Sequence, residues 1–179
     1  MPIWRLLEIG RWFAGSHPRL KIAGLFTFLC LLGASSLRGT DYTVAITNDD
    51  LATGSLSWAI TAANMNPATA PHRILFNLPT NTTTIILTNG PTVVVPMLID
   101  GSSQPNFTGQ PIVELRGADA NSGSGVILSG ASSNIIVRSL VINRFTNDGV
   151  TIQNAGGNVV EGCYIGTDRT GTCCYSCSR

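Results

Sequence analysis

A phrase recurs near the end of this chain. Val137-Arg138-Ser139-Leu140-Val141-Ile142 falls on Val160-Glu161-Gly162-Cys163-Tyr164-Ile165 when the sequence is shifted by 23 residues. The end positions are aliphatic in both copies, while the charged position changes sign from Arg138 to Glu161. A second pair precedes it: GVILSGA from Gly125 and GVTIQNA from Gly149, 24 residues apart. Apolar positions that hold their spacing while polar ones drift mark a unit repeated in space, and a period of this size belongs to solenoids. A turn absorbs the one-residue difference between the two offsets. Side chains alternate along a strand, so Leu140 and Ile142 are expected inside and Arg138 outside.

From residue 71 onward the chain is a succession of short apolar runs. RILFNL, TTIIL, TVVV, MLID, IVEL, GVIL, NIIV, LVIN and GVTI are separated by turns rich in Gly, Asn, Ser and Asp. That pattern is all-β. A β-sandwich would pair the runs as hairpins; a parallel β-helix would stack them coil upon coil. The repeat favours the β-helix, in which each coil buries its inward face only by stacking on its neighbours. Gly125, Gly149, Gly156 and Gly157 are expected to supply turn conformations closed to residues with a Cβ, and Asn134 and Asn158 to lie in corresponding turns.

One helix interrupts the β pattern. A strand over residues 42–46 and a turn around Asn48, Asp49, Asp50 and Gly54 lead to Ser55, a suitable N-cap. Leu56, Ala59, Ile60 and Ala63 then fall at i, i+3, i+4, i+7, one face of a helix that Pro67 ends. An amphipathic helix laid over the exposed apolar end of a first coil is a solenoid cap.

The N-terminus carries an export pattern. Arg19 and Lys21 precede a largely apolar run over residues 22–34, and small residues follow at Ala34, Ser35 and Ser36. Thirteen helical residues reach only about 20 Å, short of the roughly 30 Å hydrocarbon core. A secretory signal is therefore expected rather than a membrane span, with cleavage between about Ala34 and Leu37; a buried core helix is the alternative. The expected organisation is a signal peptide over 1–36, a strand and capping helix over 37–70, β-helix coils over 71–172 and a Cys-rich tail over 173–179.

TNDDLATGSLSWAITAANMNP, ILFNLP, LIDGSSQP, VRSLVINRF and GGNVVEGCYIGTDRTGT together resemble the N-terminal part of bacterial secreted right-handed parallel β-helix repeat proteins. The resemblance runs from about Thr47 to Thr172. It implies a right-handed, pectin lyase-like solenoid of a kind mostly without demonstrated activity. Such chains usually continue through further coils, whereas CCYSCSR departs from the pattern. It reads as a truncated or frame-shifted end, or as a short natural variant.

The chemistry-bearing residues are sparse. From Leu37 onward there are seven Arg, no Lys and nine acids. A polyanion partner therefore has little to hold on to, and no nucleic-acid footprint is present. Asp100, Glu114, Asp119, Asp148, Glu161 and Asp168 are scattered, while Ca²⁺ needs about six to eight oxygen ligands. Arg138 and Glu161 share a coil position, which favours a cross-coil ion pair. Asp49 and Asp50 suit a turn, and neither His17 nor His72 stands in a catalytic setting. Cys163, on the Leu140 position, is expected to face the interior. With Cys173, Cys174 and Cys177 it makes an even number, open to disulfides or, less economically, Zn²⁺. No catalytic, cofactor-binding or metal-binding residues are assigned, and no cofactor is expected.

The resulting expectation is an exported, non-enzymatic β-helix of a secreted or cell-surface protein, used for adhesion or polysaccharide contact. The alternatives are the first part of a polysaccharide lyase or glycoside hydrolase whose active coils lie elsewhere, and a gene remnant. Self-association through the last coil is expected.

Overall fold

The structure, a computed structural model, describes residues 39–118, 122–130, 134–154 and 156–174. The expected export segment, Asp119, Cys177 and the rest of residues 175–179 lie outside them. In chain order the elements are β1 (Asp41–Val44), α1 (Leu56–Asn64), β2 (His72–Phe76), β3 (Thr84–Leu87), β4 (Thr92–Val93), β5 (Met97–Asp100), β6 (Val113–Gly117), β7 (Val126–Ser129), β8 (Ile136–Arg138), β9 (Leu140–Asn143), β10 (Val150–Gln153), β11 (Val159–Glu161) and β12 (Tyr164–Ile165).

All pairings between these strands are parallel. They form three sheets: sheet A in the order β1-β2-β5-β8-β11, sheet B in the order β3-β6-β9-β12, and sheet C in the order β4-β7-β10. From β2 the chain visits A, B and C in turn. It completes three circuits at β10 and opens a fourth with β11 and β12. The fold is a parallel β-solenoid; the hairpin sandwich is excluded by the strand directions.

Both repeats seen in the sequence are coil-to-coil registers. Val126 pairs with Val150, an offset of 24, and Val137 with Val160, an offset of 23. Earlier coils obey the same stacking at other offsets: His72 pairs with Met97 at 25, Thr84 with Glu114 at 30 and Leu98 with Ile136 at 38. Loops of unequal length between the strands hide the period there. The ladder hydrogen bonds keep the strands in register regardless of loop length.

The core is three columns of inward side chains. Ile74, Ile99 and Val137 stack in sheet A, Ile85, Leu115 and Ile142 in sheet B, and Val93 and Leu128 in sheet C, all buried. Burying each such side chain is worth about 1.5–3 kcal/mol. The columns continue into the last coil, where burial falls: Ile152, above Leu128, is 52% exposed and Ile165, above Ile142, is 44% exposed.

The other end is covered. Leu56, Ala59, Ile60 and Ala63 on α1 are buried in the core cluster. Ser55 Oγ accepts from Trp58 N at 3.2 Å, and Asp49 Oδ1 accepts from Ser57 N at 2.8 Å, so two orphan donors of the first turn are satisfied. At the far end Asn64 ties the helix to the β4 edge: Nδ2 donates to Thr92 O at 2.8 Å and Oδ1 accepts from Val94 N at 3.0 Å.

The glycines serve two purposes. Gly125 and Gly149 are not left-handed turn residues; they permit close stacking. A Cβ on Gly125 would lie 2.3 Å from Gly149 O, and one on Gly149 would lie 2.6 Å from Ile165 Cγ2. Gly157 (φ 66°) is left-handed as expected, Gly156 is not, and further left-handed corners recur. Gly130 (φ 96°) is matched 24 residues on by Asn154 (φ 51°), and Ser139 (φ 56°) is matched 23 residues on by Gly162 (φ 57°). Asn158 Oδ1 accepts from Ile135 N at 3.0 Å, a side-chain bond to the coil below.

Candidate functional site

The outer face of sheet B gathers what the sequence scatters. Alternation with Ile85, Leu115 and Ile142 turns Thr84, Glu114, Val141 and Tyr164 outward in one cross-coil row, and Ile86, Arg116 and Asn143 in the next. Val141 and Asn143 are nevertheless fully buried. The segment after β12 folds back over Asn143 and Tyr164: Thr167 O accepts from Asn143 Nδ2 at 2.8 Å, and Gly171 lies against the Tyr164 ring. The Tyr164 hydroxyl donates to Gln110 Oε1.

That segment is built around Asp168. Its Oδ1 accepts from Thr170 N at 3.0 Å, Thr170 Oγ1 at 2.7 Å and Thr172 N at 3.2 Å, while Asp168 N donates to Cys173 O at 2.9 Å. The Thr170 hydroxyl and the neighbouring N–H groups favour the ionised form and hold the Asp168 carboxyl at about 2. The GTDRTGT stretch is thus a self-bonded turn.

The turn aims Arg169 back across the face to β3 and β6. Its Nε donates to Glu114 Oε2 at 3.2 Å, Nη1 to Thr83 Oγ1 at 2.9 Å and Nη2 to Thr84 Oγ1 at 2.5 Å. The hydroxyl protons are already committed, Thr83 Oγ1 to Ile112 O at 2.7 Å and Thr84 Oγ1 to Glu114 Oε2 at 2.8 Å. Their lone pairs therefore face the guanidinium. Asn143 Nδ2 fixes the other Glu114 oxygen at 2.9 Å. Burial alone would raise the Glu114 carboxyl; the bonds from Asn143 and Thr84 and the adjacent Arg169 outweigh it and hold it below the usual carboxylate range.

Beside this junction lies an open cavity of about 360 Å³ lined by Thr84, Glu114, Arg116, Arg144, Asp168, Arg169 and Thr170. Three arginines and two acids line it, and both carboxylates are ionised and already hydrogen-bonded. Such carboxylates are poor proton donors at neutral pH, since a general acid needs a raised pKa. The lining favours an anionic group over a cationic one.

The remaining acids named from sequence have structural partners. The expected Arg138–Glu161 pair is corrected: the two are register neighbours, but the Arg138 guanidinium turns to Asp100 one coil below, with Nε–Oδ1 at 2.9 Å and Nη2–Oδ2 at 2.7 Å. Asp50 Oδ1 accepts from Ala52 N at 3.2 Å, as a turn residue does, and Asp148 Oδ2 accepts from Thr151 Oγ1 at 3.3 Å. His72 is buried, with Nδ1 accepting from Thr40 N at 3.1 Å and Nε2 at 2.8 Å from Asn66 O, which assigns the neutral Nε2–H tautomer. Cys163 packs against the core on the Leu140 column, and burial pushes its thiol up. Cys163, Cys173 and Cys174 are free thiols. Among the described residues no three His, Cys, Asp or Glu side chains converge as a metal site.

Arg116, Arg144 and Arg169 were not legible as a group. They stand 28 and 25 residues apart, close to the coil period, which is the signal that could have found them. No family model, curated protein or solved structure matches the chain.

Proposed function

We propose that this protein is an exported, non-enzymatic β-helix module of a secreted or cell-surface protein, of the right-handed pectin lyase-like kind, that holds acidic polysaccharide on the outer face of sheet B. The observation that carries this reading is the cavity in which Arg116, Arg144 and Arg169 meet, with Glu114 and Asp168 committed to internal hydrogen bonds. The low bulk charge of the exported part does not oppose it. Three of its seven arginines stand on one face, and a local field, not the net charge, decides a contact within a Debye length of about 10 Å. A solenoid face suits a linear polymer because its coils offer repeated, rigid positions. Arginine suits a sugar carboxylate because its planar fork matches two oxygens.

Affinity electrophoresis in gels containing polygalacturonate, its methyl ester or a neutral glucan tests the reading. Retardation is expected with polygalacturonate alone, weakened by salt and by Arg144→Gln. Equal migration in all three gels, or equal retardation by the neutral glucan, would overturn it.

A further inference from the structure

The segment over residues 166–174 folds back as a closed strap over sheet B. It rests on the outward face of sheet B, where Asn143 is fully buried and its Nδ2 donates to Thr167 O at 2.8 Å. Its own shape is set by Asp168, independently of the sheet. Arg169 supplies its long-reaching side-chain attachment, into a socket of three oxygens whose protons and lone pairs are oriented beforehand by Ile112 O and Asn143. Closure also leaves a defect. Asn143 Oδ1 is buried and has no donor, while Nδ2 of the same amide is doubly used. Flipping the amide would set Oδ1 against the Glu114 and Thr167 oxygens, so the orphan is intrinsic to the closed arrangement. Opening would remove it.

We propose that this strap is a latch across the sheet B groove, held shut by Arg169 on Glu114, Thr83 and Thr84, and opened when an anionic group in the cavity draws the guanidinium off Glu114. The same guanidinium lines the cavity, so one group serves both the latch and the ligand. An anion competes with Glu114 for it directly. Opening uncovers Asn143 Oδ1, the Glu114 carboxylate and the Tyr164 ring. Two acceptors beside an aromatic face are suited to the hydroxyls and apolar side of a sugar ring, so the groove lengthens as it fills. The ligand arm of this proposal rests on the polysaccharide reading above; the latch itself does not.

Hydrogen exchange of the full chain, read by mass spectrometry, separates the two. In Arg169→Ala and in Glu114→Gln, amides 164–174 are expected to exchange at least about tenfold faster, as local opening loses its charge-assisted bonds, with β5 and β8 unchanged. Unchanged exchange over 164–174 would mean that the Asp168 turn holds the segment alone, and faster exchange throughout the solenoid would make Arg169 a general brace; either overturns the latch. Oligogalacturonate added to the unmodified protein is expected to speed exchange over 164–174 and to leave Arg169→Ala unaffected. Slower exchange on demonstrated binding would overturn the coupling. Absence of binding, with the variant result intact, would overturn the polysaccharide reading and the coupling, and leave the latch standing.

Discussion

Arg138 on β8 grips Asp100 on β5 with two parallel bonds, joining neighbouring coils of sheet A across the register pair that the two residues form. Asp100 is buried, and its other bonds come from the N–H and hydroxyl of Ser102 at 3.0 and 2.5 Å. Burial would raise the Asp100 carboxyl; the Arg138 fork and the Ser102 bonds outweigh it and lower it.

Removing the fork strands a buried carboxylate. Arg138→Met is expected to cost about 1–3 kcal/mol, whereas Glu161→Gln should stay within about 0.5 kcal/mol. Urea midpoints measured side by side decide this. A larger loss for Glu161→Gln would restore Glu161 as the partner.

Depth along one column should set the cost of truncation. Ile142→Ala removes a fully buried side chain and is expected to cost about 2–5 kcal/mol. Ile165→Ala, one coil on and half-exposed, should cost about 1 kcal/mol. Equal losses would show that Ile165 is covered in solution.

Ile152 and Ile165 continue interior columns into solvent beside the edges of β10 and β12. Exposed strand edges template association. Purified, fully reduced protein is expected to self-associate in light scattering, and Ile165→Lys to associate less. A stable monomer would count against this surface.

Acid should loosen the strap before the core. Asp168 and Glu114 both have lowered carboxyl pKa values in the fold, so their stabilisation is present above the ordinary carboxylate value of about 4 and is lost as pH falls through the folded values, about 2 for Asp168. Protection factors over 164–174, in which the intrinsic slowing of amide exchange with acid is divided out, should fall between pH 5 and pH 2 while those of β5 and β8 hold. In Asp168→Asn the acid-dependent loss of protection should shrink. A transition centred near pH 6 would point to another group.

Export and inactivity are checked together. Protein from a secreting host should have lost about 34–36 residues by intact mass, the three-part signal pattern being the reason. It should release no unsaturated or reducing ends from pectate or alginate, with or without Ca²⁺. Release abolished by Asp168→Asn would assign it to the enzymes instead.

Much of the scaffold was legible because its signals are local or periodic. Ser55, the i, i+3, i+4, i+7 spacing of Leu56, Ala59, Ile60 and Ala63, and Pro67 each act within one or two turns of chain, and the helix formed as they require. The final two coils were legible because Val137–Val160 and Val126–Val150 keep nearly constant offsets. Earlier coils were not, since loops of unequal length shift the offset without disturbing the ladder. Gly125 and Gly149 were misread as turn residues: their constraint comes from a neighbouring coil, which a single chain segment does not reveal.

The sequence by itself determined a parallel solenoid, its capping helix and the inward identity of its aliphatic columns, because repeated apolar spacing and helix capping are encoded at short range. Only the tertiary structure decided the partners of the charges. Arg138 lies 38 residues from Asp100 and Arg169 lies 55 from Glu114. A coil offset lengthened by loops brings such residues together, and the outward fold-back over residues 166–174 follows no period at all. Side-chain pairing depends on which coil a long, flexible guanidinium reaches, a choice made by geometry across coils rather than by neighbours along the chain.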